Sequence, residues 1–281
     1  MQIIKTIEEL RPIIKGWKKE GLQVGLVPTM GYLHEGHKSL IVKAASENDK
    51  VVVSDFVNPT QFGVNEDLAS YPRDIDRDAA LCEAAGAAVI FHPEPQEMYF
   101  SDNCTFVDMD ALTKGLCGKT RPTHFRGVCT VVSKLFHIVT PDRAYFGQKD
   151  AQQLAVVRRM VRDLNFDITI VGCPIVREAD GLAMSSRNTY LDAKEREAAL
   201  ILHKSLALGE EMMKAGECDA VKIKDAIIKN IGTEPLARID YVEIVDSETL
   251  KEVVSIEKPV LTAVAAYIGT TRLIDNFSYE P

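Results

Sequence analysis

Short apolar segments alternate with helical segments over the first two-thirds of the chain, and this alternation limits the possible folds more than any other feature. Apolar, β-branched segments that predict buried strands occur at 22–27, 51–57, 87–92, 144–146 and 167–171. Helices are predicted at 37–48, 74–86, 127–139 and 151–164. Parallel strands need long crossover connections, and helices then cover both faces of the sheet. The pattern therefore predicts an α/β fold with a parallel sheet.

The pattern changes after about residue 176. A polar loop, "VREADGLAMSSRNTYL" (176–191), comes first. We then predict helices at 193–213 and 219–230 and strands at 239–245, 260–268 and 272–279. This order predicts a smaller α+β domain at 177–281, following a first domain at 1–176.

Composition bears on partners and location. The 281 residues have a formal net charge of −8, so no overall positive field favours nucleic acid or an anionic membrane. The amino-terminal residues mix charges with apolar side chains, unlike a signal peptide or a membrane span. The six cysteines form no C-x-x-C pair, which favours reduced thiols and a cytoplasmic location. They are Cys82, Cys104, Cys117, Cys129, Cys173 and Cys218.

Two histidines stand where the first predicted strand gives way to a helix. "VPTMGYLHEGHKSL" (27–40) places His34 and His37 around Gly36. A helix N-terminus offers free N–H groups and a partial positive charge, which suit a phosphate. Two alternatives are a loop with solvated histidines and a zinc site. The spacing lacks the H-E-x-x-H pattern and a third ligand for zinc.

Two further segments carry cations. Lys149 follows a predicted strand, with Gly147 two residues before it, and could neutralise phosphate charge. Arg187 follows Ser185 and Ser186 in the polar loop, and an arginine can bind two phosphate oxygens at once. The alternatives are a solvated lysine and an exposed interdomain loop.

Polar side chains also follow the second predicted strand and begin the helix after it. Asn58 and Gln61 carry amides that suit a substrate with hydroxyl and carboxylate groups, although Asn-Pro is also a common turn. Asp78 could bind Mg²⁺ or only complement a helix N-terminus. We expect the loops after three strands to converge at the carboxyl end of the sheet.

Taken together and in order, these motifs resemble a known family. H-x-G-H after the first strand and M-S-S-R far downstream resemble the HIGH/KMSKS nucleotidyltransferase superfamily. The segments "VPTMGYLHEGH", "FVNPTQFG", "YPRD", "RPTHFRGV", "PDRAYFGQKDAQQL" and "VREADGLAMSSRN" resemble the pantoate–β-alanine ligases, and the likeness spans nearly the whole chain.

The resemblance implies ATP-dependent condensation of pantoate with β-alanine through a pantoyl adenylate, with AMP and pyrophosphate as the other products. It implies a Rossmann-like first domain, a smaller carboxy-terminal lid domain, Mg²⁺ and a homodimer. The catalytic residues would be His37, His34 and Lys149. The residues implied for ATP binding are Met30, His34, His37, Gly147, Lys149, Asp150, Val176, Met184, Ser185, Ser186 and Arg187. Those implied for pantoate and β-alanine are Gln61, Gln153 and Asn58, with Asp78 as a metal candidate.

Three positions depart from the family pattern. Gln148 stands where the family usually has glutamate. Asp55 stands where the family usually has an apolar residue, so the packing of the predicted strand at 51–57 is expected to differ from that of the family. The usual acidic pair reads Arg77-Asp78, which weakens a metal role there.

Two rival functions remain. Another superfamily member, such as an aminoacyl-tRNA synthetase fragment, needs a basic face that the composition does not indicate. A nucleotide sensor without catalysis would lack the catalytic cations that this chain carries.

Overall fold

The chain forms two compact units in a computed structural model that describes residues 1–64 and 66–281. The first unit comprises residues 1–110, 121–148 and 153–174. The second comprises residues 111–120, 149–152 and 175–281. Two short inner segments, one of them containing Lys149, thus belong with the carboxy-terminal residues. No single boundary along the sequence can represent this division.

A six-stranded parallel sheet organises the first unit, in agreement with the predicted α/β fold. Its strands are β1 (Gln2–Ile4), β2 (Val24–Thr29), β3 (Lys50–Asp55), β4 (Val89–Phe91), β5 (Arg143–Gly147) and β6 (Thr169–Cys173). Their order is β1-β4-β3-β2-β5-β6. The order reverses at β2, which pairs with β3 on one side and with β5 on the other. Ligands of open α/β sheets bind beyond the carboxyl ends of the strands at such a reversal.

Within residues 1–64 and 66–173, seven α-helices precede or separate these strands. They are α1 (Ile7–Lys19), α2 (Glu35–Glu47), α3 (Ile75–Ala84), α4 (Pro95–Met98), α5 (Leu116–Thr120), α6 (His124–Val139) and α7 (Ala151–Asp163). The side chain of Asp74 caps α3 by accepting a hydrogen bond from the Arg77 N–H. Gly86 follows with a φ of 93°, which suits glycine. Most of α6 is buried, and this confirms a helix at 127–139.

The core of the first unit fixes the start of α2. Leu33, Leu40 and Ile41 are buried together with strand residues such as Val27 and Ile90. Leu33 lies just before α2, so its burial anchors the loop that carries the two histidines. Neither β1 nor α1 was predicted from the sequence. The helix α1 begins after the capping residue Thr6.

A three-stranded antiparallel sheet organises the second unit. Its strands, in the order β7-β8-β9, are β7 (Ala237–Asp246), β8 (Val260–Ile268) and β9 (Thr271–Tyr279). The helices are α8 (Ala193–Ala198), α9 (Leu200–Lys214) and α10 (Ala220–Ile231). The single helix predicted at 193–213 is therefore two helices that divide at Ala199. Buried side chains of α9, α10 and this sheet form one apolar core.

The helices were also compared in length and apolar character with membrane-spanning segments. Within the described part of the chain, no helix combines the length and the apolar character needed to cross a bilayer.

Candidate active site

The loop between β2 and α2 takes its shape from backbone hydrogen bonds to one carboxylate. The N–H of Tyr32 donates to Asp78 Oδ2 at 2.6 Å, and the N–H of Leu33 donates to Asp78 Oδ1 at 2.7 Å. Gly31 and Tyr32 both have positive φ, at 79° and 49°. Asp78 is buried on α3, so a helix side chain stabilises an unusual backbone conformation at the end of β2.

A second carboxylate, that of Asp55, also lies close to this loop at Gly31. A side chain at residue 31 would clash with Asp55 Oδ1, and its Cβ would lie 3.3 Å from Asp78 Oδ2, so only glycine fits. Burial raises the pKa of Asp78 to about 6; the negative charge of Asp55 adds to the rise, and the two N–H donors oppose it.

Asp55 has its own partner in His92. Nδ1 of His92 lies 2.9 Å from the Asp55 carbonyl oxygen and 3.6 Å from Oδ1. The hydrogen bond to Asp55 raises the pKa of His92 above its usual value, although burial opposes this. The departure from an apolar residue at position 55 is thus accommodated by a neighbouring imidazole.

His34 and His37 lie side by side and cap α2. Their ring centroids are 4.1 Å apart, with an angle of 37° between the planes. His34 Nδ1 accepts from the Gly36 N–H at 3.1 Å, and His37 Nδ1 accepts from the His34 N–H at 3.3 Å. An accepting nitrogen carries no proton, so each neutral ring has its proton on Nε2. Both imidazoles can therefore donate a hydrogen bond through Nε2.

Two loops of the first unit meet through Gln61. Its amide nitrogen lies 2.8 Å from Met30 Sδ, and its amide oxygen accepts from Asn58 Nδ2 at 3.1 Å. Asn58 Oδ1 accepts in turn from the Tyr99 hydroxyl at 2.8 Å. Both Asn58 and Gln61 are buried. Residues that the sequence analysis assigned to the nucleotide and to pantoate are thus neighbours across the ends of β2 and β3.

The backbone at Gln61 is held from the start of α6. Its carbonyl oxygen lies 3.0 Å from His124 Nδ1 and accepts from Arg121 Nη2 at 3.4 Å. Arg121 also pairs with Glu66, with Nε donating to Oε1 at 2.8 Å. Burial opposes ionisation of Glu66, but Arg121 outweighs it and holds the pKa of this carboxyl below its usual range. A Cβ at Gly127 would lie 2.5 Å from the Thr60 carbonyl oxygen, so glycine permits this close approach.

The remaining predicted residues of the first unit are Gly147 and Gln153. Gly147 ends β5, the strand that pairs with β2 at the reversal of strand order. Gln153 lies in the first turn of α7 and is half-buried.

The second unit holds the polar loop in a defined shape. The Met184 N–H donates to the Val176 carbonyl at 3.0 Å, so these two predicted residues are paired backbone neighbours. Arg177 and Ala183 form a further antiparallel bridge, and Gly181 turns the chain between them with a φ of 99°.

A short 3₁₀ turn (Ser186–Tyr190) follows this hairpin. The Ser185 hydroxyl accepts from the Arg187 N–H at 3.3 Å. Asn188 Nδ2 donates to Glu178 Oε1 at 2.8 Å and to the Ala183 carbonyl at 3.1 Å. The Ser-Ser-Arg segment is therefore tied back to the hairpin that precedes it.

Lys149 and Asp150 also belong to the second unit. The Lys149 carbonyl accepts a hydrogen bond from Asn276 Nδ2 on β9 at 2.8 Å. Three residues after Lys149, Gln152 Nε2 donates to the carbonyls of Leu112 and Gly115, both at 2.9 Å. This segment of the chain is therefore fixed by side-chain amides.

The arrangement of potential donor groups bears on metal binding. Residues 1–64 and 66–281 contain no group of three or more His, Cys, Asp or Glu side chains that could hold a metal ion. Asp78 accepts two backbone hydrogen bonds and is paired with the loop rather than directed to a cation. Asp78 as a metal ligand stays a prediction, and in the described part of the chain the two histidines do not belong to a group of three potential metal-binding side chains.

The fold and the site together define a class of protein. The order of the parallel strands reverses at β2, and β2 is followed by a loop and a helix N-terminus. This arrangement is typical of α/β folds that bind nucleotides. A profile of the family described as Pantoate-beta-alanine ligase matches residues 2–278. The chain belongs to this family of ligases, which confirms the resemblance of its motifs.

Individual proteins are similar to this chain in sequence over almost their full length. Proteins named pantothenate synthetase from Clostridium acetobutylicum and Enterococcus faecalis are 64% and 65% identical over 280 residues, covering 100% of this chain and 100% and 99% of theirs. The crystal structure of pantothenate synthetase from Thermus thermophilus matches with a TM-score of 0.94 and 44% identity over 100% of both chains.

A further solved relative carries ligands. The pantoate-beta-alanine ligase from Francisella tularensis, complexed with Beta-gamma ATP and Beta-alanine, matches with a TM-score of 0.80 and 33% identity. The match covers 99% of this chain and 97% of that one.

Sequence reasoning missed several residues that hold the predicted ones. It gave no role to Tyr99, Arg121, His124 or Asn276, and it left Asp78 undecided. Arg121 and His124 lie in the motif "RPTHFRGV", so their presence in a family motif was a signal. Asn276 offered no such signal, because it lies 127 residues from the carbonyl it binds.

The raised pKa of Asp78 predicts a pH-dependent cost of its replacement. Folding favours the protonated carboxyl, because the folded pKa of about 6 exceeds the value of about 3.9 in an unfolded chain. This contribution is full below that unfolded value and is lost as the pH rises through 6. Asp78→Asn cannot titrate, so it should lower the free energy of unfolding by about 1 kcal/mol more at pH 5 than at pH 7.

Urea unfolding at the two pH values measures this difference. The matched control is Asp76→Asn, which changes an exposed carboxyl on the same helix. An equal cost of Asp78→Asn at both pH values would contradict the raised pKa.

Proposed function

We propose that this protein condenses (R)-pantoate with β-alanine in two steps that use one ATP. A pantoate carboxylate oxygen first bonds to the α-phosphorus, and the bond to the bridging oxygen breaks to release pyrophosphate. The β-alanine amine then attacks the acyl carbon of pantoyl adenylate, loses a proton and displaces AMP. The products are pantothenate, AMP and pyrophosphate.

The contact between Gln61 and Met30 is the observation that carries this proposal. It joins the loop proposed to bind pantoate to the loop proposed to bind ATP, with 2.8 Å between amide nitrogen and sulfur. A carboxylate bound at Asn58 and Gln61 would therefore lie beside a nucleotide bound at residues 30–37. Adenylation needs such alignment of two reactants rather than a covalent enzyme nucleophile. Gln153 is proposed as a further pantoate contact.

The two imidazoles are proposed to stabilise charge on the phosphates. Nε2 of His34 and of His37 carries a proton in the neutral ring, because each Nδ1 accepts from the backbone. Each can therefore donate to a phosphate oxygen without first being protonated, and a donor fixed before reaction costs no reorganisation. We propose His37 as the principal charge stabiliser.

The second unit is proposed to supply the other phosphate ligands. These are the Lys149 ammonium, the Arg187 guanidinium and the hydroxyls of Ser185 and Ser186. Val176 and Met184 shape the same hairpin, and Gly147 and Asp150 flank the lysine.

Mg²⁺ is proposed to arrive with ATP, held mainly by its phosphates. This mode is common for Mg²⁺, which keeps several waters and few protein ligands. It agrees with an Asp78 carboxylate that is already bound to the loop backbone. We also propose that the enzyme is a cytoplasmic homodimer.

Isotope transfer tests the adenylate intermediate. With pantoate labelled with ¹⁸O in its carboxylate, we expect one labelled oxygen in AMP, because that oxygen bridges acyl carbon and phosphorus before the amine attacks. Mass spectrometry of the products measures this. Unlabelled AMP, or ADP as the product, would rule out pantoyl adenylate. Pyrophosphate exchange into ATP that depends on an amino acid instead of pantoate would indicate a synthetase.

His37→Ala should lower kcat by about two to three orders of magnitude, the range for removing one preorganised charge stabiliser. The pantoate-dependent rate of pyrophosphate release measures it. His137→Ala, which removes an exposed histidine from α6, is the control and should keep the wild-type rate. Near wild-type turnover in His37→Ala would remove this residue from the mechanism.

Gln61→Ala should raise the KM for pantoate by about tenfold or more, since it removes hydrogen bonds to a polar substrate. ATP affinity, measured by calorimetry, should change little. Gln96→Ala, an exposed glutamine on α4, serves as the control. A parallel fall in ATP affinity would show that Gln61 is not specific to the pantoate site.

A further inference from the structure

One polar network in the second unit connects two segments that the proposed function places on the phosphates. It begins at Arg177 in the hairpin, whose Nη1 and Nη2 donate to the two carboxylate oxygens of Asp275 at 2.7 and 3.0 Å. Arg177 Nη1 also donates to the Gly181 carbonyl at 3.0 Å. The hairpin before Met184–Arg187 is thereby attached to β9.

The network continues along β9 to Lys149. Asp275 Oδ1 accepts from the Asn276 N–H at 2.8 Å, and Asn276 Nδ2 donates to the Lys149 carbonyl at 2.8 Å. Asp275 and Asn276 are almost fully buried. Buried polar side chains are costly unless they are hydrogen-bonded, so this arrangement is expected to be rigid.

Asp275 and Asn276 attach this network to the antiparallel sheet of the second unit. Asp275 and Asn276 lie in the middle of β9, opposite Val264 and Ala263 of β8. Val264 belongs to the apolar core of the second unit. A backbone carbonyl held from a paired strand has much less freedom than one in an exposed turn.

We propose that Asn276 is a positioning residue for Lys149. Its amide holds the Lys149 carbonyl, and through Asp275 and Arg177 it keeps the lysine in a set relation to the Ser-Ser-Arg segment. The two cationic segments then form one preassembled group for the phosphates. This inference rests on the proposed function, in which Lys149 binds the nucleotide.

The proposal predicts a loss of turnover that depends on Lys149. Asn276→Asp has almost the same shape but no N–H to donate to the carbonyl. It should lower kcat by about 10- to 100-fold, the range for displacing a group by about 1 Å, and Asn276→Ala should do the same. The KM for pantoate should stay within twofold of wild type, since Asn58 and Gln61 lie in the first unit. Asn276→Gln keeps the donor and should recover part of the rate.

A double-mutant cycle separates positioning from a general structural effect. Once Lys149→Ala has removed the ammonium, adding Asn276→Ala should change kcat by less than twofold. If the two losses multiply instead, Asn276 does not act through Lys149 and the proposal is overturned. Thermal unfolding of each variant checks that it is folded, and Asn276→Ser replaces any variant that is not.

A matched asparagine in the same unit provides the control. Asn230 Nδ2 on α10 donates a hydrogen bond to Ser205 Oγ on α9 at 2.9 Å. This hydrogen bond is not part of the network. Asn230→Ala should leave kcat within twofold of wild type. A wild-type enzyme without pantoate-dependent pyrophosphate release would refute the proposed function, whereas multiplicative losses in an active enzyme would refute only the role of Asn276.

Discussion

The Asp78 carboxylate and the N–H groups of Tyr32 and Leu33 determine the shape of the loop after β2. Because the loop turns through two residues of positive φ, its backbone needs hydrogen-bond partners outside β2 and α2. With residues 32 and 33 held, His34 enters α2 as its cap and His37 follows one turn later. The tautomer of both imidazoles then follows from backbone donors rather than from a neighbouring charge. The geometry of the proposed phosphate site thus depends on Asp78, which lies outside the loop on α3.

The same principle recurs at the other proposed binding segments. The Gln61 carbonyl is held by Arg121 and His124, and the Lys149 carbonyl is held by Asn276. In each case a side chain distant in sequence fixes the backbone of a residue that is proposed to bind a ligand. A backbone anchored in this way keeps donors and cations close to their working positions before substrate binds, which is the basis of electrostatic preorganisation.

Much of the fold could be predicted from the sequence, because hydrophobic periodicity is a local signal. The spacing and length of apolar segments predicted the strands β2 to β6 and the buried helix α6. The amino-terminal strand β1 was not, because its three residues are meaningful only beside β4. The break at Ala199 also escaped prediction, since the apolar pattern continues across it. The candidate site residues were found by resemblance, whereas Tyr99, Arg121 and Asn276 were not, because their partners lie 41 to 127 residues away.

The sequence by itself determined the alternation of strands and helices, the family, and the chemical types of group available near each strand end. Only the tertiary structure decided that Asp78 binds a loop, that Gln61 contacts Met30, and that Lys149 belongs to the unit of the carboxy-terminal residues. The physical reason is that apolar spacing selects local conformation, whereas a hydrogen-bond partner depends on strand order and on which buried polar groups remain to be satisfied.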